Sequence, residues 1–289
     1  MAGKILVLGA TGTVGENVVQ ELARRGVPVR GATRDPAKLH SDTPQVEYVR
    51  LDLQDASTFR AALEGVERLF VMAPPGHSQP DRLLAPFLDA ALPRMRRVVT
   101  MTASGVEASD EIPLRRVEKT VERSGASWTH LRPTWFMQNF HSVWLPTIEA
   151  TGKVMVPAAE AKTAFVDARD IAAVAATVLA GDSELHTRKA YRLTGPESLT
   201  YAQATATLTR ETGRTIGYLP IDDESFRNGL LKAGLPADYA GVMVGLFQHV
   251  RAGHAAKRST DVEAVTGKAP RTLVDYARHY KDRFAAKAR

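Results

Sequence analysis

Gly9, Gly12 and Gly15 recur at three-residue intervals, directly behind an apolar run at residues 5–8 and ahead of a helical pattern over 14–25. Strand, glycine turn and helix is the context a dinucleotide phosphate loop needs. Gly9 permits the tight turn. Gly12 leaves no Cβ between the backbone and a pyrophosphate, and Gly15 lets helix and strand pack closely. The helix start adds unpaired N–H groups and the positive end of its dipole. Gly9, Thr11, Gly12, Thr13, Val14 and Gly15 are therefore the expected coenzyme contacts of this loop. Arg34 follows 19 residues after Gly15, at the end of the strand expected over 27–33. An acidic residue at this place favours NAD, whereas an arginine accommodates the 2′-phosphate of NADP. Arg34 points to NADP(H), with Lys38 as a further phosphate contact. The adjacent Asp35 reads as the cap of the short turn at 36–38.

The elements that must hold these residues alternate. Strands are expected at 5–8, 27–33, 46–50, 68–72, 97–102 and 127–131, with helices between them at 14–25, 56–64, 79–91 and 114–124. This is the pattern of an α/β Rossmann fold, a doubly wound parallel sheet. Ligands of such sheets bind outside the carboxyl ends of the strands. Asp52 and Leu53 end the third strand, where Asp52 can accept from an adenine amino group. Ala73 and Pro74 form a rigid turn after the fourth, expected beside the nicotinamide ribose. His77 lies in the loop beyond; loop histidines are mostly solvated, and this one is kept as a candidate on the substrate side. Thr102 and Ser104 end the fifth strand, facing the nicotinamide, and are the candidate catalytic hydroxyls. Pro133 marks the exit from the sixth. Trp135, Phe136, Asn139 and Phe140 follow within one short segment and read as a flat hydrophobic substrate wall.

Beyond residue 150 the alternation loosens. Short strands are expected at 153–156, 190–193 and 215–219, and helices at 170–180, 199–210, 222–233, from 236 onward and over 270–284. Asp55 reads as the cap of the 56–64 helix, and Asp167 or Asp170 as that of the 170–180 helix. The organisation expected is an NADP-binding domain over 1–150, with later returns near 164–195, and a mainly substrate-binding α/β region over 151–289.

Composition narrows the classes. The net charge is +6, yet residues 251–289 hold ten Lys/Arg against four Asp/Glu, so the first 250 residues are neutral. The basic tail interleaves with apolar helical positions and reads as a solvated face. No nucleic-acid-reading motif accompanies it. No apolar run reaches the length of a membrane span. There is no cysteine, hence no disulfide framework or thiolate metal site, and no metal is expected. The chain enters a strand directly, with no signal peptide, and the expected location is the cytoplasm. Whether it is a monomer or a homodimer the sequence leaves open.

Assembled, these residues resemble an atypical short-chain dehydrogenase/reductase of the NmrA-like group. The marks are the glycine loop, Thr33-Arg34, Leu131-Arg132-Pro133 with Met137-x-Asn139-Phe140, Phe165-Val166-x-x-x-Asp170-Ile171-Ala172, and Leu193-Thr194-Gly195-Pro196. The second half is similar to the festuclavine/agroclavine dehydrogenase branch and its bacterial relatives, through residues 131–140, 194–201, 234–239 and 266–272. The resemblance implies a Rossmann domain, a small C-terminal region closing the cleft, and NADPH as hydride donor. It implies a small hydrophobic organic substrate and leaves its identity open. Some relatives bind the coenzyme only as redox sensors.

The usual catalytic pair of short-chain dehydrogenases, Tyr-x-x-x-Lys, is missing. Four residues after Tyr48, Tyr191, Tyr201, Tyr218, Tyr239, Tyr276 and Tyr280 stand Asp52, Gly195, Thr205, Asp222, Met243, Tyr280 and Phe284. Lys119 has Arg115 where the tyrosine belongs. Hydride addition to a simple ketone makes an alkoxide that needs a placed acid. Addition to an iminium needs no proton, and a quinone or extended enone gives a delocalised anion that solvent can protonate. The sequence therefore favours a reductase of a flat conjugated electrophile. The alternatives are a non-catalytic NADP(H)-sensing regulator and a ketone reductase of a polycyclic polyketide using Ser104, Thr102 or a substrate hydroxyl as donor.

Overall fold

The computed structural model describes residues 3–39, 41 and 43–285. The chain divides into two compact units, Met1–Pro133 with Ala168–Arg192, and Thr134–Asp167 with Leu193–Arg289. Residues 134–150, which the sequence reading gave to the first domain, fall in the second unit. Numbered along the chain, the strands are β1 (Lys4–Val7), β2 (Val29–Thr33), β3 (Val46–Arg50), β4 (Val66–Met72), β5 (Arg97–Met101), β6 (Ser127–Pro133), β7 (Lys153–Val156), β8 (Lys162–Thr163), β9 (Lys189–Leu193), β10 (Leu199–Thr200) and β11 (Gly217–Pro220). The α-helices are α1 (Thr13–Arg24), α2 (Phe59–Leu63), α3 (Pro80–Ala91), α4 (Pro113–Glu122), α5 (Leu145–Thr151), α6 (Ala168–Ala180), α7 (Tyr201–Thr212), α8 (Asp223–Lys232), α9 (Ala237–Arg251), α10 (Asp261–Thr266) and α11 (Leu273–His279).

The first unit is built on a seven-stranded sheet in the order β3-β2-β1-β4-β5-β6-β9. Neighbours from β3 to β6 are parallel. Arg188 N–H donates to the Trp128 carbonyl and Thr134 N–H to that of Leu193, so β9 and β6 also rise together. Ile5, Leu6 and Val7 are buried, as a central strand covered on both faces requires. The order reverses at β1/β4, the switch point where doubly wound sheets bind their ligands. α1 covers one face through Val14, Val18, Val19 and Leu22, and packs on the alanine-rich α6. Two arginines fasten α6. Arg68 donates to the carbonyls of Leu179 and Ala180 at 2.6 and 3.2 Å, and Arg97 to those of Val178 and Ser183 at 2.9 Å each. These buried cations occupy the negative end of the helix dipole and pair with its orphan carbonyls.

The expected 56–64 helix is a 3-10 turn, Ala56–Thr58, running into α2. Asp55 caps it by accepting from Ser57 N–H at 3.1 Å. Asp35 sits before the Pro36–Lys38 turn without a side-chain capping bond. Its carboxylate instead pairs with the exposed Lys38 at 2.8 Å.

The second unit carries a parallel pair, β7 with β11, and a short antiparallel pair, β8 with β10. α7 starts in a capping box in which Thr200 and Gln203 exchange side-chain and backbone bonds. Phe140, Trp144, Phe165, Tyr201 and Phe247 form the centre of this core. No helix among the described residues is long and apolar enough to cross a membrane.

Candidate coenzyme and active site

The glycine loop is set by its backbone. Gly9 adopts φ +67°, which other residues rarely take, and Gly12 N–H closes the turn on the Gly9 carbonyl at 2.8 Å. A Cβ on Gly15 would lie 2.1 Å from the Gly9 oxygen, so only glycine brings α1 this close to the loop. Gly12 occupies the N-cap position of α1 and has no side chain with which to cap it. The first backbone bond of the helix runs from Glu16 N–H to the Gly12 carbonyl at 2.9 Å. Thr13, Val14 and Gly15 therefore present free N–H groups at the positive end of the dipole, and Gly9, Thr11, Gly12 and Thr13 are exposed. A helix start left uncapped and open fits a pyrophosphate.

Arg34 lies just beyond β2, exposed, and its guanidinium has no partner among the described residues. It is a free cation where a 2′-phosphate would be read. Beyond β3, Asp52 accepts from Gln54 N–H at 3.0 Å through Oδ1, and its other oxygen is unpartnered among the described residues. Leu53 and Ala73 pack against the first unit's core, Pro74 is half-buried, and His77 is exposed in its loop.

At the end of β5 the two candidate hydroxyls differ. Thr102 is buried and its hydroxyl donates to Glu118 Oε1 at 2.7 Å. Its proton is committed, which argues against Thr102 as the acid; it is a structural donor. Ser104 is held by its own N–H, which bonds the Pro133 carbonyl at 2.9 Å, and its buried hydroxyl has no partner among the described residues. Ser104 is thus the unpaired hydroxyl at this edge.

Glu118 is the functional neighbour that sequence reasoning missed. It is fully buried on α4 and accepts from Thr102, from Arg132 Nε and Nη2 at 3.0 and 2.8 Å, and from Arg115 Nη1 at 2.7 Å. Burial pushes its carboxyl up, but the bonds from Arg132 and Thr102 and the nearby positive charge outweigh this and hold it below the ordinary value. The carboxylate locks the ends of β5 and β6 to α4. The available signal was its place between Val117 and Val121 on the helix's inward stripe. Glu122 accepts from Arg115 Nη1 at 2.5 Å and meets His130 Nε2 at 3.3 Å. Burial drives the His130 pKa down to about 4 against the pull of both carboxylates. Glu118, Glu122 and His130 lie close enough to hold a cation, but the guanidiniums already occupy the carboxylates.

In the second unit, Phe140 is fully buried against Trp144 and Phe165, at centroid distances of 4.8 and 5.4 Å. Phe140 is core rather than substrate wall. Trp135 is half-buried and lies 4.6 Å from the Phe247 ring. Phe136 and Asn139 are also half-buried, and the Asn139 carbonyl accepts from Trp144 N–H at 2.9 Å. Of the 236–250 helix, Phe247 and Val250 are core, while Val242 and Leu246 are exposed.

Two family descriptions match this chain, NAD(P)H-binding over residues 9–182 and NmrA-like family over 115–282. The chain belongs to the NmrA-like family of NAD(P)H-binding proteins. The NAD(P)H azoreductase of Xenophilus azovorans is 31% identical to this chain over 287 residues, covering 98% of this chain and 99% of the relative. The agroclavine dehydrogenase of Claviceps fusiformis is 32% identical over 292 residues, covering 96% and 97%. The NADPH-dependent quinone oxidoreductase QOR2 of Escherichia coli, solved in complex with NADPH, superposes with a TM-score of 0.80 at 25% identity, covering 95% and 99%. The NmrA-like relatives thus include the clavine branch the second-half motifs pointed to, alongside bacterial reductases. The uncapped loop and free Arg34 of this chain fit the NAD(P)H-binding description.

Proposed function

We propose that this NmrA-like chain is an NADPH-dependent reductase of flat, hydrophobic, conjugated electrophiles of the iminium, quinone or enone type. The observation that carries the reading is at the end of β5. The chain lacks Tyr-x-x-x-Lys, and Glu118 holds the Thr102 proton, so no strong acid stands ready for an alkoxide. The names of the relatives, given for azo, clavine and quinone chemistry, support the same class. When bound, NADPH supplies the hydride. The residues assigned to hold it are Gly9, Thr11, Gly12, Thr13, Val14 and Gly15 at the pyrophosphate, and Arg34 at the 2′-phosphate. Asp52 and Leu53 take the adenine, and Ala73, Pro74, Thr102 and Pro133 the nicotinamide half. Trp135, Phe136 and Asn139, which follow Pro133 in the chain, are assigned to the substrate, and His77 to its approach. Orientation against the nicotinamide then supplies most of the rate.

The test is NADPH oxidation across a panel of iminium, quinone, enone and aromatic ketone compounds. Turnover of the first three classes is expected. NADPH binding with no oxidation on any compound would replace the reductase by a coenzyme-sensing regulator. Turnover of aromatic ketones at the same rates would favour the polyketide ketone reductase.

Two variants probe the assignments. Arg34→Ala is expected to weaken NADP(H) binding by about 10- to 100-fold, the worth of a charge-assisted bond, and to leave NAD(H) affinity unchanged. Equal losses for both coenzymes would remove Arg34 from the 2′-phosphate. Ser104→Ala is expected to slow enone and ketone reduction by about tenfold or more, with iminium reduction unaffected, since only the former develop negative charge on oxygen. A uniform effect on all acceptors would show that Ser104 does not meet that oxygen.

A further inference from the structure

At the carboxyl edge of the first unit's sheet, Arg50 ends β3 beside the end of β2. It is the Cα partner of Thr33, the residue before Arg34, and Leu51 N–H bonds the Thr33 carbonyl at 2.8 Å. Neighbouring strands lie about 4.8 Å apart, and alternate residues of a strand share a face. Tyr48 shows which face this is. Its ring lies over Gly31, where a Cβ would come within 2.7 Å of the ring and 2.9 Å of the Cβ of Ala10 in the glycine loop. Arg50, two residues on, leaves the strand from this glycine-loop side. The chain beyond β2 folds the same way. Asp35 N–H bonds the Thr33 hydroxyl at 3.3 Å, which bends the backbone at Arg34, and the Pro36–Lys38 turn packs against β3. The stems of Arg34 and Arg50 are therefore anchored on adjoining backbone at the ligand-binding edge. Arg50 is held only loosely. Its one ion pair among the described residues is with Asp55 Oδ2 at 3.6 Å, and the two side chains are 61% and 40% exposed. Such a pair adds little to stability. Asp55 spends its other oxygen on the Ser57 N–H and hydroxyl.

We propose that Arg50 is a second guanidinium of the 2′-phosphate site, acting with Arg34, and that the coenzyme's phosphate displaces Asp55 from it. The inference rests on the NADPH reading above and on the place of Arg34 in it. A phosphomonoester carries about two negative charges near neutral pH, so one guanidinium leaves half of it unmatched. Its three peripheral oxygens can take two planar forks at once. A bidentate phosphate contact outweighs a solvent-screened pair at 3.6 Å, so the exchange runs toward the coenzyme. NAD(H) offers only a ribose hydroxyl there and leaves Arg50 with Asp55.

The experiment is fluorescence titration of the full chain with NADPH and with NADH, read as the ratio of the two dissociation constants. Arg50→Gln is expected to weaken NADPH binding by about tenfold and to leave NADH unchanged. Asp55→Asn keeps an oxygen for the Ser57 cap and frees Arg50. It should tighten NADPH binding by about twofold or more, again without effect on NADH. An unchanged ratio in Arg50→Gln, while Arg34→Ala still lowers it, overturns the role of Arg50 and leaves the 2′-phosphate reading standing. A ratio lowered by Lys38→Gln and not by Arg50→Gln makes Lys38 the second cation, which also overturns it. An unchanged ratio in Arg34→Ala as well removes the 2′-phosphate site itself. Unaltered NADPH affinity in Asp55→Asn overturns the exchange of partners.

Discussion

Replacing Gly15 with alanine is expected to lower NADPH affinity by about 100-fold or more and to destabilise the first unit. The added Cβ would lie 2.1 Å from the Gly9 oxygen, 2.5 Å from its carbon and 3.0 Å from Ala10 N. All are backbone atoms, and none can rotate away. The loop is also pinned from both sides: Leu8 N–H bonds the Phe70 carbonyl at 3.0 Å and Ala10 N–H that of Ala32 at 3.3 Å. Relief must come from moving α1, at the cost of about 1–3 kcal/mol typical of overpacking. That movement withdraws the N–H groups of Thr13, Val14 and Gly15 from the phosphates. Gly12→Ala separates the two effects. Its Cβ would meet the Gly9 oxygen at 3.3 Å, a far smaller crowding than the 2.1 Å at Gly15, so folding is disturbed less while the methyl intrudes on the pyrophosphate. Thermal denaturation and NADPH fluorescence titration read the two variants together. Wild-type affinity in Gly15→Ala would refute the phosphate loop.

Glu118→Ala is the second large effect. It leaves Arg132, Arg115 and the Thr102 hydroxyl facing a void where four charge-assisted bonds had been. Breaking a buried pair from one side costs about 3–5 kcal/mol. Thr102→Val removes only one bond of the set and should cost about 1.5–3 kcal/mol. The same cluster makes the protein acid-sensitive. The folded-state pKa of Glu118 is depressed, so its contribution is present above the ordinary carboxylate value and is lost as pH falls through the folded one. His130 is held neutral down to about 4, so the unfolded chain takes up its proton first and stability declines from about pH 6.5 toward 4. Denaturation midpoints measured across that range should fall for the wild type. A flat profile, or a Glu118→Ala protein as stable as Thr102→Val, would show that the cluster is not the fastening described.

What the sequence revealed was what local spacing encodes. The strand–glycine–helix opening and the position of Arg34 just beyond β2 were legible because each depends on neighbours within one βαβ step. The doubly wound parallel sheet followed from the alternation of strands with helices. Phe140 was misread because a short apolar segment does not say which side chain faces inward; the rings of Trp144, Phe165 and Tyr201 decide that, and they come from three other segments. Thr102 was misread for a related reason. Its hydroxyl looked available until Glu118 and Arg132, sixteen and thirty residues further on, were brought beneath the same strand ends. Asp35 took a neighbouring ammonium instead of a backbone N–H, a choice between two local partners that composition cannot settle.

The fastening of α6 by Arg68 and Arg97 bears on how the polypeptide is made. Their acceptors lie at residues 178–183, after the chain has already left for the second unit at Thr134 and returned at Ala168. A nascent chain stopped at β6 would hold two cations inside the sheet layer with nothing to receive them, and an edge on β6 awaiting β9. The coenzyme-binding half therefore cannot mature on the ribosome ahead of the insert at 134–167. Synthesis must pass Ser183 before the covering helix is fastened and reach Leu193 before the sheet is complete, so the two halves are not exchangeable modules that can be cut at a single linker.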